Sequence, residues 1–380
     1  MKTAASDVFE LHRALVRIPS VNPAGDPGTD LANTGEGRLA EFLADRLAPL
    51  GAQEVTLTEV LPGRPNLLAR FPSDRPGKPR LLFAPHTDTV SVAGMTIDPF
   101  AAEARDGKIH GRGACDTKGT IAAMLGAFAE LRDTLPRLSH EIWFAGLMGE
   151  EAGNEGAHAL AASGFRADFA LVGEPTGCDI VHAHKGVAWL ALTTRGRAAH
   201  GAYPERGVSA IYQMADVLRC VRDELVAEFA AAPDPVLGPA SANVGLVRGG
   251  SKINIVPEHC AAELDLRTIP AQRRPDFVEE ITARLRRACP ALEVELIRAS
   301  PPLFTPADHP LVRALQTAGG KLVGAAYFTD GSVLADEANI PSVAAGPGDI
   351  AQAHTADEYI EADELPRGVE FYKRFLIATY

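Results

Sequence analysis

The chain has 380 residues, 46% of them apolar, and a formal net charge of -12 from 37 Lys and Arg against 49 Asp and Glu. That is enough apolar matter for a sizeable core and enough length for about two domains, while an acidic chain with no Lys/Arg block is a poor match for nucleic acid or anionic membranes and leaves small solutes as the expected partners. Five scattered cysteines, Cys115, Cys178, Cys220, Cys260 and Cys289, form no C-x-x-C pair, a pattern that suits reduced thiols in a cytoplasm better than a disulfide framework or a Cys-type zinc site.

In chain order, the first pattern is an amphipathic helix with Val8, Leu11, Leu15 and Ile18 on one face, not an apolar signal segment. No apolar run approaches the roughly 18 residues of a membrane span. Residues 79–85 read as a strand buried on both faces, ending at His86 and Asp88 in "HTDTV". "GRGACDTKG" then delivers Asp116 ahead of a helix over residues 117–135. A second apolar run, residues 139–147, leads into Glu150 and Glu151, and the short helix "EGAHALAAS" follows. A third, residues 167–173, leads into Glu174 in "VGEPT". Alternation of strands and helices predicts an α/β/α layer with a mixed sheet.

From about His184 the texture changes. Strand, helix, strand, strand, helix, strand is the order of a ferredoxin-like α+β unit, interrupted by the Pro-rich loop "AAPDPVLGPA". After Ser300 the α/β texture returns. The expected division is residues 1–183 and 299–380 for one domain, with 184–298 inserted into it.

Polar residues at the ends of parallel strands gather at one cleft. His86, Asp116, Glu150, Glu151, Glu174 and, in "AGPGDIAQAHTADEYI", His354 are therefore expected to converge. Imidazoles and carboxylates without thiolate suit Zn, Mn or Co, and one bridging carboxylate would serve two ions. Taken singly, Asp116 also reads as a helix N-cap, Glu150-Glu151 as a solvated loop, and Glu174 before Pro175 as turn chemistry. His182 and His184 share a strand face and form a weaker candidate metal pair.

These motifs together, with "GEE", "HKG", "GRAAHGAYPERGVSAI", "NIVP" and "DLR", resemble the di-metal M20 family of peptidases and deacylases over nearly the whole chain. The resemblance implies two divalent ions, zinc first with cobalt or manganese as alternatives. His86 and Glu174 would hold one, Glu151 and His354 the other, and Asp116 would bridge them, followed by a cis peptide bond. Asp88 would accept a hydrogen bond from the His86 imidazole, and Glu150 would be the general base serving a metal-bridged hydroxide. The inserted unit resembles the family's lid, which also forms a homodimer. There His200 would stabilise the oxyanion, in the family often from the partner subunit, while Arg267, Asn254 and the Gly348 backbone would bind substrate.

The reaction implied is hydrolysis of the amide of an N-acyl amino acid, nearest to the acetylornithine deacetylase branch. Succinyl-diaminopimelate desuccinylase, dipeptidase and glutamate carboxypeptidase activities are alternatives on the same site, and a binding protein with a retired site is the alternative of another class. Asp330 in "YFTDGS" is a candidate receptor for a substrate ammonium group. Many relatives carry an acidic residue before the paired glutamates, where this chain has Gly149.

Overall fold

The computed structural model describes residues 4–24 and 30–378. Its contacts divide the chain into two compact units. One comprises the chain up to His182 with Thr305–Val323 and the segment from Thr329, and the other comprises Ala183–Phe304 and Gly324–Phe328.

The first unit is built on a mixed sheet. Its strands lie in the order Glu54–Leu61, Arg64–Arg70, Glu141–Gly146, Arg80–Pro85, Phe169–Gly173, Ser342–Ala344 and Ile180–His184. Arg80–Pro85 runs parallel to both Glu141–Gly146 and Phe169–Gly173, and Ser342–Ala344 runs parallel to Phe169–Gly173. These four strands therefore deliver their carboxyl ends to one edge. The short apolar runs are buried on both faces, as their unbroken hydrophobicity predicts.

The helix expected over residues 117–135 spans Lys118–Glu130, and a 3-10 turn, Leu135–Arg137, replaces its last part. It is apolar on nearly every side because it packs against both Ala4–Val16 and Glu364–Ala378. Phe71, Phe83, Phe128 and Phe144 meet edge to face in the core beneath.

The second unit carries an antiparallel sheet in the order Ser241–Gly249, His259–Thr268, Gly186–Arg195, Glu293–Ser300. With the helices Ala210–Cys220 and Phe277–Ala288, this is the ferredoxin-like arrangement. Leu190, Leu192, Leu264 and Leu266 from the strands meet Met214, Val217, Ile281 and Leu285 from the helices in its core. Alternate residues of His259–Thr268 are buried, which is the period-2 pattern of a sheet covered on one face.

Candidate active site

The two adjacent glutamates show how the first unit builds its site. A bridge pairs His86 with Leu147, so the chain leaves both strands side by side before it turns at Gly149, whose φ is +79°. The turn is held from below. Gly149 N donates to Glu36 Oε1 (3.2 Å), while Glu150 N and Glu151 N donate to the Asp88 carboxylate oxygens (3.1 and 3.0 Å). Gly153 N and Asn154 N close onto the Gly149 carbonyl. Successive strand residues would point to opposite faces; this turn ends the strand and frees both side chains from that alternation. A side chain at Gly149 would strike the Glu155 carboxylate, its Cβ falling 2.3 Å from Oε2, and Glu155 thus fills the space that a larger residue 149 would need.

His86, Asp116 and Glu151 bring ligand-type atoms within 4.8 Å of one another. His86 Nε2 lies 2.9 Å from Asp116 Oδ1. His354 Nε2 lies 3.5 Å from the other Asp116 oxygen, Oδ2, and 3.0 Å from Glu151 Oε2. The Asp116 carboxylate thus turns one oxygen to each imidazole. It is not a helix cap, since Thr117 occupies that position and Thr117 Oγ1 donates to the Gly173 carbonyl (3.0 Å), tying the helix start to the residue before Glu174. The Asp116–Thr117 bond is cis, as the family pattern implies.

Asp88 meets the His86 ring through two of its acceptors. His86 Nδ1 has its nearer partner in the Asp88 backbone carbonyl, at 3.1 Å, with the carboxylate at 3.5 Å. The same carboxylate also accepts from the two glutamate amides and from Asn22 Nδ2 (2.8 Å).

Burial pushes the Glu150 carboxyl well above the ordinary range, and Glu174 nearby adds to this. Glu174 is raised in the same way, by burial and then by Asp116, and Glu151 is raised chiefly by burial. Burial acts on Asp116 too, but the His354 and His86 bonds outweigh it and hold that carboxyl low. His354 is pushed up to about 10 by Asp116 and Glu151.

Divalent cations fit this donor set. Glu151 Oε1 and Glu174 Oε1 are buried with no hydrogen-bond partner, the Asp116 and Glu151 carboxylates lie against the His86 and His354 imidazoles, and Glu150 and Glu174 add two further buried carboxyls. Cations would neutralise that charge and reverse the upward shifts of the ligand carboxylates.

In the second unit, His200 and Asn254 are brought together. His200 pairs with Ile255 on a two-stranded ladder, and Gly201 N donates to the Asn254 carbonyl at 2.8 Å. Both residues are exposed. Arg267 is half-buried, its Nε held by both Asp265 oxygens at 3.0 and 3.1 Å. Gly348, in the first unit, has φ +98°, and a Cβ there would fall 2.7 Å from Cys115 Sγ, so the loop requires glycine.

A family model described as Peptidase family M20/M25/M40 matches residues 82–378. The chain belongs to this family. Acetylornithine deacetylase of Proteus mirabilis is 33% identical over 366 residues, 93% of this chain and 92% of that protein. Acetylornithine deacetylase of Myxococcus xanthus is 31% identical over 354 residues, 90% of each chain. The crystal structure of an M20 family metallo-carboxypeptidase, Sso-CP2 from Sulfolobus solfataricus, superposes with a TM-score of 0.80 at 18% identity, covering 100% of this chain and 99% of that one, and so shares its fold. The protein is accordingly an M20 hydrolase of the metallopeptidase and deacetylase type.

Sequence reasoning missed several residues of this M20 site. Glu36 and Asn22 are fully buried and support the glutamate turn from distant segments; neither carries a motif signal. Asp330, the candidate ammonium receptor, also supports the turn. It is 0% exposed at the start of the helix Asp330–Glu337, and its Oδ1 accepts from Asn154 Nδ2 at 2.9 Å, anchoring the far end of the turn. Burial pushes its carboxyl up to about 6. His182 and His184 are buried, each with Nδ1 against a backbone carbonyl, and neither falls in a cluster of three possible ligands among the described residues. Glu358 lies inside the quoted "AHTADEYI" motif, yet the motif itself gave it no role.

Proposed function

We propose that the protein hydrolyses the amide bond of a small N-acyl amino acid, in the manner of an acetylornithine deacetylase. The observation that carries this reading is the Asp116 carboxylate, with one oxygen toward His86 and the other toward His354, beside a buried Glu150. His86 and Glu174 would hold one divalent ion, Glu151 and His354 the other, and Asp116 both. Zinc is the proposed occupant, with cobalt or manganese as alternatives. When bound, such ions polarise the scissile carbonyl and acidify water.

The chain's own residues do the rest. Glu150 takes the proton of the attacking water and returns it to the departing amine, a task suited to a carboxyl whose proton affinity is raised by burial. Asp88 keeps Glu150 and Glu151 in place through their amides. His200 donates to the developing oxyanion. Arg267 binds the substrate carboxylate with the guanidinium nitrogens that Asp265 leaves open, and Asn254 and the Gly348 backbone orient the carbonyl region.

A homodimer through the inserted unit is part of the proposal. In that unit Tyr212 on the helix and Leu246 and Val247 on the edge strand Ser241–Gly249 are exposed apolar residues. Among the described residues no helix is long and apolar enough to cross a membrane, and the proposed location is the cytoplasm.

The test is a panel of N-acetyl, N-succinyl and dipeptide substrates assayed with Zn, Co and Mn, with Glu150→Ala run in parallel. N-acetyl amino acids are expected to be cleaved best, and Glu150→Ala to lose about 10²- to 10⁴-fold in kcat while keeping its metal. Unchanged hydrolysis by Glu150→Ala would sink the mechanism, and a preference for N-succinyl or dipeptide substrates would move the protein to another branch of the family.

A further inference from the structure

Glu358 is 1% exposed and accepts hydrogen bonds from one loop along its length. Its Oε2 accepts from Arg112 Nη1 and Gly113 N, both at 2.8 Å, and its Oε1 from Cys115 N (2.8 Å) and Asp116 N (2.9 Å). The Glu358 carbonyl takes a further bond from Gly111 N at 3.0 Å. Arg112 Nε in turn donates to Ser91 O at 2.8 Å, on the segment that follows His86. Residues 112–116 form no regular element, so their amides need acceptors when buried, and the Glu358 carboxylate serves those of Gly113, Cys115 and Asp116.

Four residues upstream on the same segment stands His354, in the left-handed region at φ +62°, with its ring on Asp116 Oδ2 and Glu151 Oε2. The segment 354–358 therefore grips Asp116 twice, at its amide through Glu358 and at its carboxylate through His354. An apolar side chain of similar size would leave the Gly113, Cys115 and Asp116 amides and the Arg112 guanidinium without this acceptor. What the carboxylate adds is direction.

We propose that Glu358 is a positioning residue that fixes the Asp116 carboxylate between the two imidazoles and so sets how firmly the divalent ions are held. This rests on the metal-dependent reading of the site given above. Glu358 itself touches neither substrate nor metal; it acts through the Asp116 amide and the loop.

The test compares Glu358→Gln with Phe128→Leu, a cavity in the core of the same unit, each as metal-loaded enzyme at a temperature where it is folded. Glutamine turns one acceptor into a donor facing the loop amides. The expected result is a loss of about 10- to 100-fold in kcat with KM unchanged, and a similar acceleration of metal release to a chelator. Phe128→Leu should lower the melting temperature and leave kcat and release rate at wild-type values. Wild-type kcat and release rate in Glu358→Gln would overturn the proposal, as would equal changes in the two variants at equal loss of melting temperature. If Glu358→Gln does not fold, Glu358→Asp, which keeps the charge and withdraws it by one methylene, should show the same losses; wild-type values there would also overturn it. Metal release needs no substrate, so its outcome stands apart from whether any substrate of the panel is cleaved.

Discussion

The two units solve opposite problems. In the first, the chemistry is buried: His86, Asp88, Asp116, Glu150 and Glu174 are each less than a tenth exposed, and their positions depend on one another through short hydrogen bonds. In the second, burial is left to an apolar core of leucines and aliphatic helix residues, while His200 and Asn254 stand exposed beside a two-residue ladder. The difference teaches that function and stability are coupled in the first unit and separable in the second. Substituting a buried member of the polar cluster removes support from its neighbours, whereas an exposed histidine is removed at little structural expense.

The largest expected effect that sharpens this contrast is in the second unit. His200→Ala should lower kcat by about 10²- to 10³-fold, the usual cost of losing an oxyanion donor, while folding stability stays within about 0.5 kcal/mol and metal content is unchanged. Steady-state kinetics with a parallel denaturation curve would check it. A wild-type kcat would break the comparison by leaving His200 with no part in the chemistry.

A smaller effect tests the coupling within the first unit. His12 is fully buried; its Nε2 donates to the Ala114 carbonyl at 2.8 Å, and its Nδ1 has no partner. Burial lowers its pKa to about 4 from the ordinary 6.5. Between those values the unfolded chain binds a proton that the folded chain refuses, so folding stability is full above pH 6.5 and falls as the pH drops toward 4, by about 3 kcal/mol in all. Denaturation at pH 7 and pH 5 should show about 2 kcal/mol of that loss, and His12→Gln should remove it. An unchanged pH slope in His12→Gln would contradict the account.

Much of this was legible in the sequence because parallel strands are short, apolar and abruptly ended. His86, Glu150, Glu151 and Glu174 stand directly after such runs, and the topology that carries them to one edge follows from the alternation of strands and helices.

What escaped the reading is the support beneath the site. Glu36, Asn22 and Asp330 act by accepting or donating hydrogen bonds across 113, 66 and 176 positions of sequence, and no local pattern records such a partner. The resemblance gave Asp88 as a partner of the His86 ring but not its second task, accepting from the amides of the glutamate turn. Asp330 was read only as a candidate ammonium receptor; its bond to Asn154, which holds the glutamate turn, has no local signal in the sequence.

The central claim is that Asp116 serves both metal positions at once. Native mass measurement of the metal-loaded protein and of Asp116→Asn, at matched free metal, tests it most directly. The account predicts that the wild-type chain carries both ions and that Asp116→Asn loses both together, with folding retained. Loss of a single ion, with the other held at wild-type affinity, would contradict a shared carboxylate.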